Sequence, residues 1–251
     1  MARYYLAEQV ALQHSSSIDY AREFLFNALN IGEEMLISGA EVSRVEDSVR
    51  RICLAYGAEK VDVFTITSAI VVTVYSPMFG AVTQTRRITS TRYDLFKLAR
   101  LNALSSRICE EMPLFEVVEN ELEEIRTGTP QYSFGTMLAI HALISASFTL
   151  FFGGSWLDAA ASAVIGLFLK YMDSVSRLLQ LPSTVAAVLW SFAGGCLALF
   201  FVSVGFGCSA EKISIGNIML LIPGIPFVNS MRDIFVGDTI TGLLSAFEAV
   251  L

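Results

Sequence analysis

Three stretches without a single Asp, Glu, Lys or Arg constrain this 251-residue chain more than any motif in it. They run from Thr127 to Leu157 (31 residues), from Leu178 to Ala210 (33 residues) and from Ile213 to Met231 (19 residues). An α-helix rises about 1.5 Å per residue, so about 20 apolar residues cross a hydrocarbon layer of about 30 Å. Each run is long enough, or nearly so, for a membrane-crossing helix. Charge is split accordingly. Residues 1–130 hold 31 of the 41 charged side chains and residues 131–251 hold the other ten. The first half is composed like a water-soluble domain and the second like a segment for lipid.

The same balance excludes several classes. A net charge of −7 offers no basic footprint for nucleic acid. The aliphatic and aromatic content is too high for a disordered chain. Cys53, Cys109, Cys196 and Cys208 are scattered without a CxxC pair, and there is no His cluster. They are expected to be buried small residues rather than disulfides or metal ligands. No metal or cofactor is expected. Residues 1–17 lack an apolar core behind a positive start, so a cleaved signal peptide is not expected.

In the first half the apolar period changes twice. Phe24, Leu25, Ala28, Leu29, Met35 and Leu36 recur at helical spacing behind Ser15-Ser16-Ser17, and Gly39 ends that helix. A second helix is expected from Val42 to Tyr56, stopped by Gly57. Val61–Thr65, Ile70–Tyr75 and Val82–Ile88 read as strands, with Ser76–Gly80 as a turn. Tyr93–Glu111 and the acidic Leu114–Arg126 read as helices. In the second half, spans are expected near 132–152, 156–172, 184–206, 213–229 and 239–251, the last too short to cross alone. The expected fold class is thus a cytoplasmic α+β domain of order ααβββαα over residues 1–130, followed over 131–251 by an all-α transmembrane bundle of about five helices. Arg126, Lys170, Arg177 and Arg232 flank one side of these spans and only Lys212 the other, which puts the N-terminus in the cytoplasm.

Chemistry-bearing residues concentrate in two places. Pro223, Gly224 and Pro226 interrupt the fourth apolar segment, and Asn229, Arg232, Asp233 and Asp238 follow closely. Broken helices with polar groups of this kind form substrate or gating elements in transporters, although a kinked helix and a charged loop give the same pattern. His141 in the first span is either packed neutral against a neighbour or a proton or substrate contact. Asp158 either sits at the interface or needs a role that offsets roughly 2.5–3.5 kcal/mol of insertion cost. In the first half, Gly39, Glu41, Arg44 and Glu46 form a compact charged motif at a helix start, which a capped, salt-bridged N-terminus also explains. A membrane-anchored hydrolase using Glu41, Glu46 or Asp62, and a regulatory subunit, stay open as alternatives. There is no GxxxxGK[ST] and no HExxH, and a triad histidine in this half could only be His14.

Ser38-Gly39-Ala40-Glu41-Val42-Ser43-Arg44-Val45-Glu46, followed by Arg51-Ile52 and Tyr56-Gly57, resembles the signature of the threonine/serine exporter family, N-terminal type. Asp94-Leu95 to Leu101-Asn102 fits as well. So does Pro223-Gly224-Ile225-Pro226-Phe227-Val228-Asn229-Ser230-Met231-Arg232-Asp233 with Gly237-Asp238. The resemblance covers nearly the whole chain in order. It implies a multi-pass protein of a bacterial-type inner membrane that exports threonine and serine or, in a two-subunit branch, succinate. Single-chain members carry a second block of about five spans after the first. This sequence resembles the separate-subunit branch, which implies an oligomer with a second small membrane subunit of the same family and a small carboxylate as solute.

Overall fold

The computed structural model describes residues 17–250 except 90, 129–131, 223 and 238, and side chains except those of 183, 184 and 248–250. His14, Ser15, Ser16, Pro223 and Asp238, singled out in the sequence, therefore lie outside the described residues. In chain order the elements are α1 (Ser17–Ile37), α2 (Val42–Ala55), β1 (Lys60–Ile66), β2 (Ala69–Ser76), β3 (Gly80–Arg87), α3 (Leu95–Glu111), α4 (Phe115–Thr127), α5 (Phe134–Phe151), α6 (Trp156–Leu178), α7 (Ser183–Ser203), α8 (Ala210–Ile218), α9 (Gly224–Val236) and α10 (Thr239–Val250). The chain divides into two compact units. One is residues 1–129 with 225–249, and the other is residues 130–224 with 250–251.

In the first unit the three strands form an antiparallel meander, β1-β2-β3, with Val63 opposite Val72 and Val74 opposite Val82. Alternation along β2 sends Ile70, Val72 and Val74 into the core, all fully buried. There they join Phe24, Leu25, Leu29 and Met35 of α1, Val45, Val49 and Ile52 of α2, Leu101 and Ile108 of α3, and Val118 and Leu122 of α4. Fully burying each such side chain contributes about 1.5–3 kcal/mol. Two tyrosines tie the edge of this core. Tyr20 Oη donates to the Tyr56 carbonyl at 3.2 Å, and burial pushes its hydroxyl pKa up to about 12, so it stays a neutral donor. Tyr56 Oη donates to the Pro113 carbonyl at 2.7 Å. Glu34 of α1 accepts from Lys97 Nζ at 2.6 Å and from Arg126 Nε at 2.7 Å, clamping α1 to α3 and α4.

In the second unit α5, α6 and α8 meet through small and polar residues. A β-carbon on Gly166 would lie 2.4 Å from Ser145 Oγ, and one on Gly216 would lie 2.0 Å from Thr149 Oγ1. The helices approach this closely only because both residues are glycine. Gly195 and Gly205 face open space. Thr149 Oγ1 donates to Ser162 Oγ (2.7 Å), and Asn217 Nδ2 donates to the same oxygen (3.0 Å). Cys53 is buried and Cys109 partly so, but Cys196 and Cys208 are exposed, unlike the expectation for them.

The expected fold class, an α+β domain followed by a bundle of about five transmembrane helices, is overturned. Among the described residues only two helical segments are long and apolar enough to cross a membrane, Phe134–Phe151 and Val185–Ser203. The physical reason is that a charge-free run is not a continuous helix. The run from Ile213 to Met231 is cut into α8 and α9, of nine and 13 residues, and α10 has 12. At about 1.5 Å per residue none of these exceeds about 20 Å. Helix α6 is long enough at 23 residues, but it carries Asp158, Lys170, Asp173 and Arg177. Moreover, residues 225–249 group with the first unit rather than with the helices before them.

Candidate functional site

The candidate site is built on the turn that ends α1. Ser38 N donates to the Glu34 carbonyl, Gly39 N to that of Leu36 and Ala40 N to that of Met35, which closes the helix C-terminus. Gly39 takes φ +88°, and a β-carbon there would lie 2.3 Å from the Tyr93 ring. Both the conformation and the space demand glycine. The segment before α3 holds the turn from one side, with Arg92 N donating to the Ile37 carbonyl (2.6 Å) and Asp94 N to that of Ser38 (3.1 Å). Asp94 then caps α3 by accepting from Lys97 N at 2.9 Å. Glu41 follows the turn in extended conformation and precedes α2.

Helix α9 supplies the other half of the site. Asn229 and Arg232 are three residues apart and so share a face. Asn229 Nδ2 donates to the Gly39 carbonyl at 3.4 Å, and Arg232 donates to Glu41 Oε1 at 2.5 Å. The two charged motifs of the sequence, some 190 residues apart, therefore meet within one unit. Asp233 and Ser230 are buried on α9, and Ser230 Oγ donates to the Phe227 carbonyl at 2.7 Å. The Arg232 side chain is 61% exposed and that of Glu41 22%, so the pair contributes on the order of 0–1 kcal/mol and can open and close at little cost.

Other expected residues take different places. Gly224 and Pro226 lie in the first turn of α9, where a missing N–H is harmless. Gly224 and Pro226 thus start a helix. Arg44 is exposed. Glu46 accepts from Thr65 N at 2.8 Å, joining α2 to β1, and Asp62 pairs with Lys60 at the surface at 3.1 Å. Glu41, Glu46 and Asp62 are each held by a different partner. Burial pushes the Cys53 thiol far up, away from its nucleophilic form. Among the described residues no group of three or more His, Cys, Asp or Glu is gathered to hold a metal ion.

His141 and Asp158 belong to the second unit. His141 Nδ1 donates to the Met137 carbonyl at 2.8 Å, which leaves Nε2 for other partners. Asp158 is 1% exposed and fully satisfied. It closes a capping box with Ser155 at the start of α6 and accepts from Cys208 N (2.6 Å) and Ser209 N (3.0 Å). These bonds make it a latch between α6 and the loop before α8. The sequence reading used Lys170 and Arg177 for orientation alone. It missed that Lys170, Asp173 and Arg177 form one charged cluster, although their spacing of three and four residues on a helix was a legible signal.

The family model described as ThrE, threonine/serine exporter, matches residues 27–251. The chain belongs to the threonine/serine exporter family. It is 25% identical over 242 residues to a protein named probable threonine/serine exporter from Mycobacterium tuberculosis, covering 94% of this chain and 45% of that protein. It is 23% identical over 234 residues to the threonine/serine exporter of Corynebacterium glutamicum, covering 89% of this chain and 47% of that protein. The chain therefore spans about half the length of the curated relatives it matches. No solved structure matches it at a significant level.

Proposed function

We propose that this chain is one half of a secondary exporter of small carboxylates, with its N-terminal unit in the cytoplasm and a second membrane subunit of the same family completing the pathway. The observation that carries the export reading is the match of residues 27–251 to the threonine/serine exporter family model. The junction at Gly39 and Glu41 supports a gating role for α9. A solute carboxylate can compete with Glu41 for the Arg232 guanidinium, and the weak, exposed pair yields to it.

The solute is threonine or serine, or a succinate-type dicarboxylate, and voltage separates these. At 100 mV, inside negative, each exported negative charge gains about 2.3 kcal/mol, so a dianion gains roughly 4.6 kcal/mol without other coupling. Zwitterionic threonine gains nothing and needs another driving gradient. The test is flux from vesicles containing this chain with and without the candidate partner subunit, at controlled voltage and pH. Export only when both are present supports the reading. A voltage-driven flux favours the dianion, and a flux that ignores voltage but follows a pH gradient favours the amino acid. Arg232→Ala and Asp233→Asn are expected to abolish export with the protein still in the membrane. Normal export by both variants would remove α9 from the pathway.

A further inference from the structure

The second unit contains a cavity of about 350 Å³ between α5, α6, α7 and the segment after α8. That volume is at the small end of the range for ligand pockets, about 300–1,000 Å³. Its walls are mainly Leu169, Ala186, Ala187 and Leu221, and against them converge His141, Lys170, Asp173, Arg177 and Trp190. Lys170 is the decisive group. Its side chain is only 8% exposed, and a lysine is almost never buried without full pairing. Its Nζ carries three donors, and among the described residues its one acceptor is Asp173, at 3.0 Å. Asp173 is itself shared, because Arg177 donates to the same carboxylate oxygen. Two cations on one carboxylate leave a net positive charge and unused Lys170 donors beside an apolar, partly enclosed space. Trp190, also in the lining, is fixed by donating from Nε1 to Ser176 Oγ at 2.6 Å.

We infer that this cavity is the solute site of the exporter, with Lys170 as the carboxylate contact and Asp173 as the contact for an ammonium group. The inference rests on the export reading above and adds the place of binding. An α-amino acid can exchange with the resident pair. Its carboxylate takes the Lys170 donors, its ammonium joins Arg177 on Asp173, and no carboxylate is left without a cation. A dicarboxylate would engage Lys170 and Arg177 but strip Asp173 of both partners, leaving an unpaired carboxylate next to bound anions. A short side chain then lies against the alanines and Trp190. The cavity thus selects a small zwitterion by chemistry as well as by size.

Trp190 provides its own readout, since the chain has two tryptophans and the other, Trp156, is 82% exposed. The experiment uses the full chain in lipid nanodiscs in a Trp156→Phe background, titrated with L-threonine, L-serine and succinate while Trp190 emission is followed. The expected result is a saturable change with the amino acids. It weakens tenfold or more in Lys170→Met and in Asp173→Asn, and largely survives in Lys170→Arg. Ala187→Leu, which fills the cavity and leaves the charges in place, should weaken binding as well and guards against a Lys170 variant that merely misfolds. Unaltered titration in Lys170→Met and Ala187→Leu would overturn the inference. So would succinate binding tighter than threonine and indifferent to Asp173→Asn. If vesicles export threonine while these variants bind and export normally, the site is wrong and the export reading stands. If binding follows Lys170 but no solute is ever exported, the export reading fails and the site stands.

Discussion

The two units of this chain bury opposite kinds of residue. In the first, Phe24, Leu29, Ile52, Ile70, Leu101 and Ile108 are sealed in a continuous apolar core, and charged side chains lie mostly outside. In the second, the interior is as polar as it is apolar. Ser145, Thr149, Asp158, Ser162, Lys170 and Asn217 are buried, while the compact apolar cluster is only Ala161, Ile165, Leu169, Ala198 and Ile213. Its large apolar side chains face out, with Leu143 68%, Phe192 74% and Leu199 65% exposed. In water that arrangement discards the hydrophobic effect that folds the first unit. In lipid it is the expected one, because hydrocarbon solvates leucine and phenylalanine and leaves polar groups to pair inside. The contrast can be tested by asking each unit the same question.

The largest difference is expected from phenylalanine truncation. Phe24→Ala, at a fully buried position in the first unit, should destabilise by about 3–5 kcal/mol. Phe192→Ala, which removes as many atoms from an outward-facing helix position, should change stability by about 0.5 kcal/mol or less. Unfolding in detergent micelles, followed separately for each unit, measures both. Equal losses at the two positions would mean that Phe192 is part of a core and would break the comparison.

Lysine substitution sharpens it from the other side. Phe64 on β1 is 61% exposed, and Phe64→Lys should be close to neutral in water. Phe192 lies within the apolar segment Val185–Ser203, and Phe192→Lys should oppose insertion by about 2.5–3.5 kcal/mol if near the centre of the bilayer. Membrane insertion of the glycosylation-tagged chain reads this directly. Efficient insertion of Phe192→Lys would argue that this helix face meets water or protein.

The ion clamp of the first unit comes next in size. Glu34→Gln removes the charge shared by Lys97 and Arg126 and should destabilise the first unit by about 2 kcal/mol, less than a fully buried pair because Arg126 is 34% exposed. Chemical denaturation monitored at the tyrosines of that unit checks it. A loss under about 0.5 kcal/mol would reduce the clamp to an ordinary surface pair.

How legible each unit was in the sequence follows from the range of the interactions that shape it. Helices α1 to α4 and the three strands obey local periods, so Val42–Tyr56 was read within a residue of its observed end at Ala55, and the strands at Val61, Ile70 and Val82 within two residues. Counting charges could not show that the run from Ile213 to Met231 is divided between two short helices, because hydropathy averages across a turn. Nor could it show that residues 225–249 join the first unit. The meeting of Arg232 with Glu41 joins positions 191 residues apart, and no local rule reports such a pair. The sequence did mark Gly39, Glu41, Asn229 and Arg232 as unusual, which is why their contact was recognisable once seen. Asp158 shows the reverse. Its role as a latch depends on backbone amides of Cys208 and Ser209, which carry no side-chain signal at all.

The smallest effect tests the polar interior itself. Thr149 Oγ1 donates to Ser162 Oγ at 2.7 Å in a site with no exposed surface, and Thr149→Val keeps the shape while removing the donor. In a water-soluble core, leaving the partner unsatisfied would cost about 1–3 kcal/mol. Inside a membrane protein such bonds average about 0.6 kcal/mol, with a ceiling near 1.7, because the unfolded helices in lipid also find partners. The lower figure is expected here, since Ser162 Oγ can still donate to the Ser145 carbonyl at 3.2 Å and still accepts from Asn217 Nδ2. Reversible unfolding in micelles, with Phe24→Ala as the scale for the first unit, measures the difference. A loss above about 3 kcal/mol from Thr149→Val would place this interior under the rules of water and would remove the distinction between the two units.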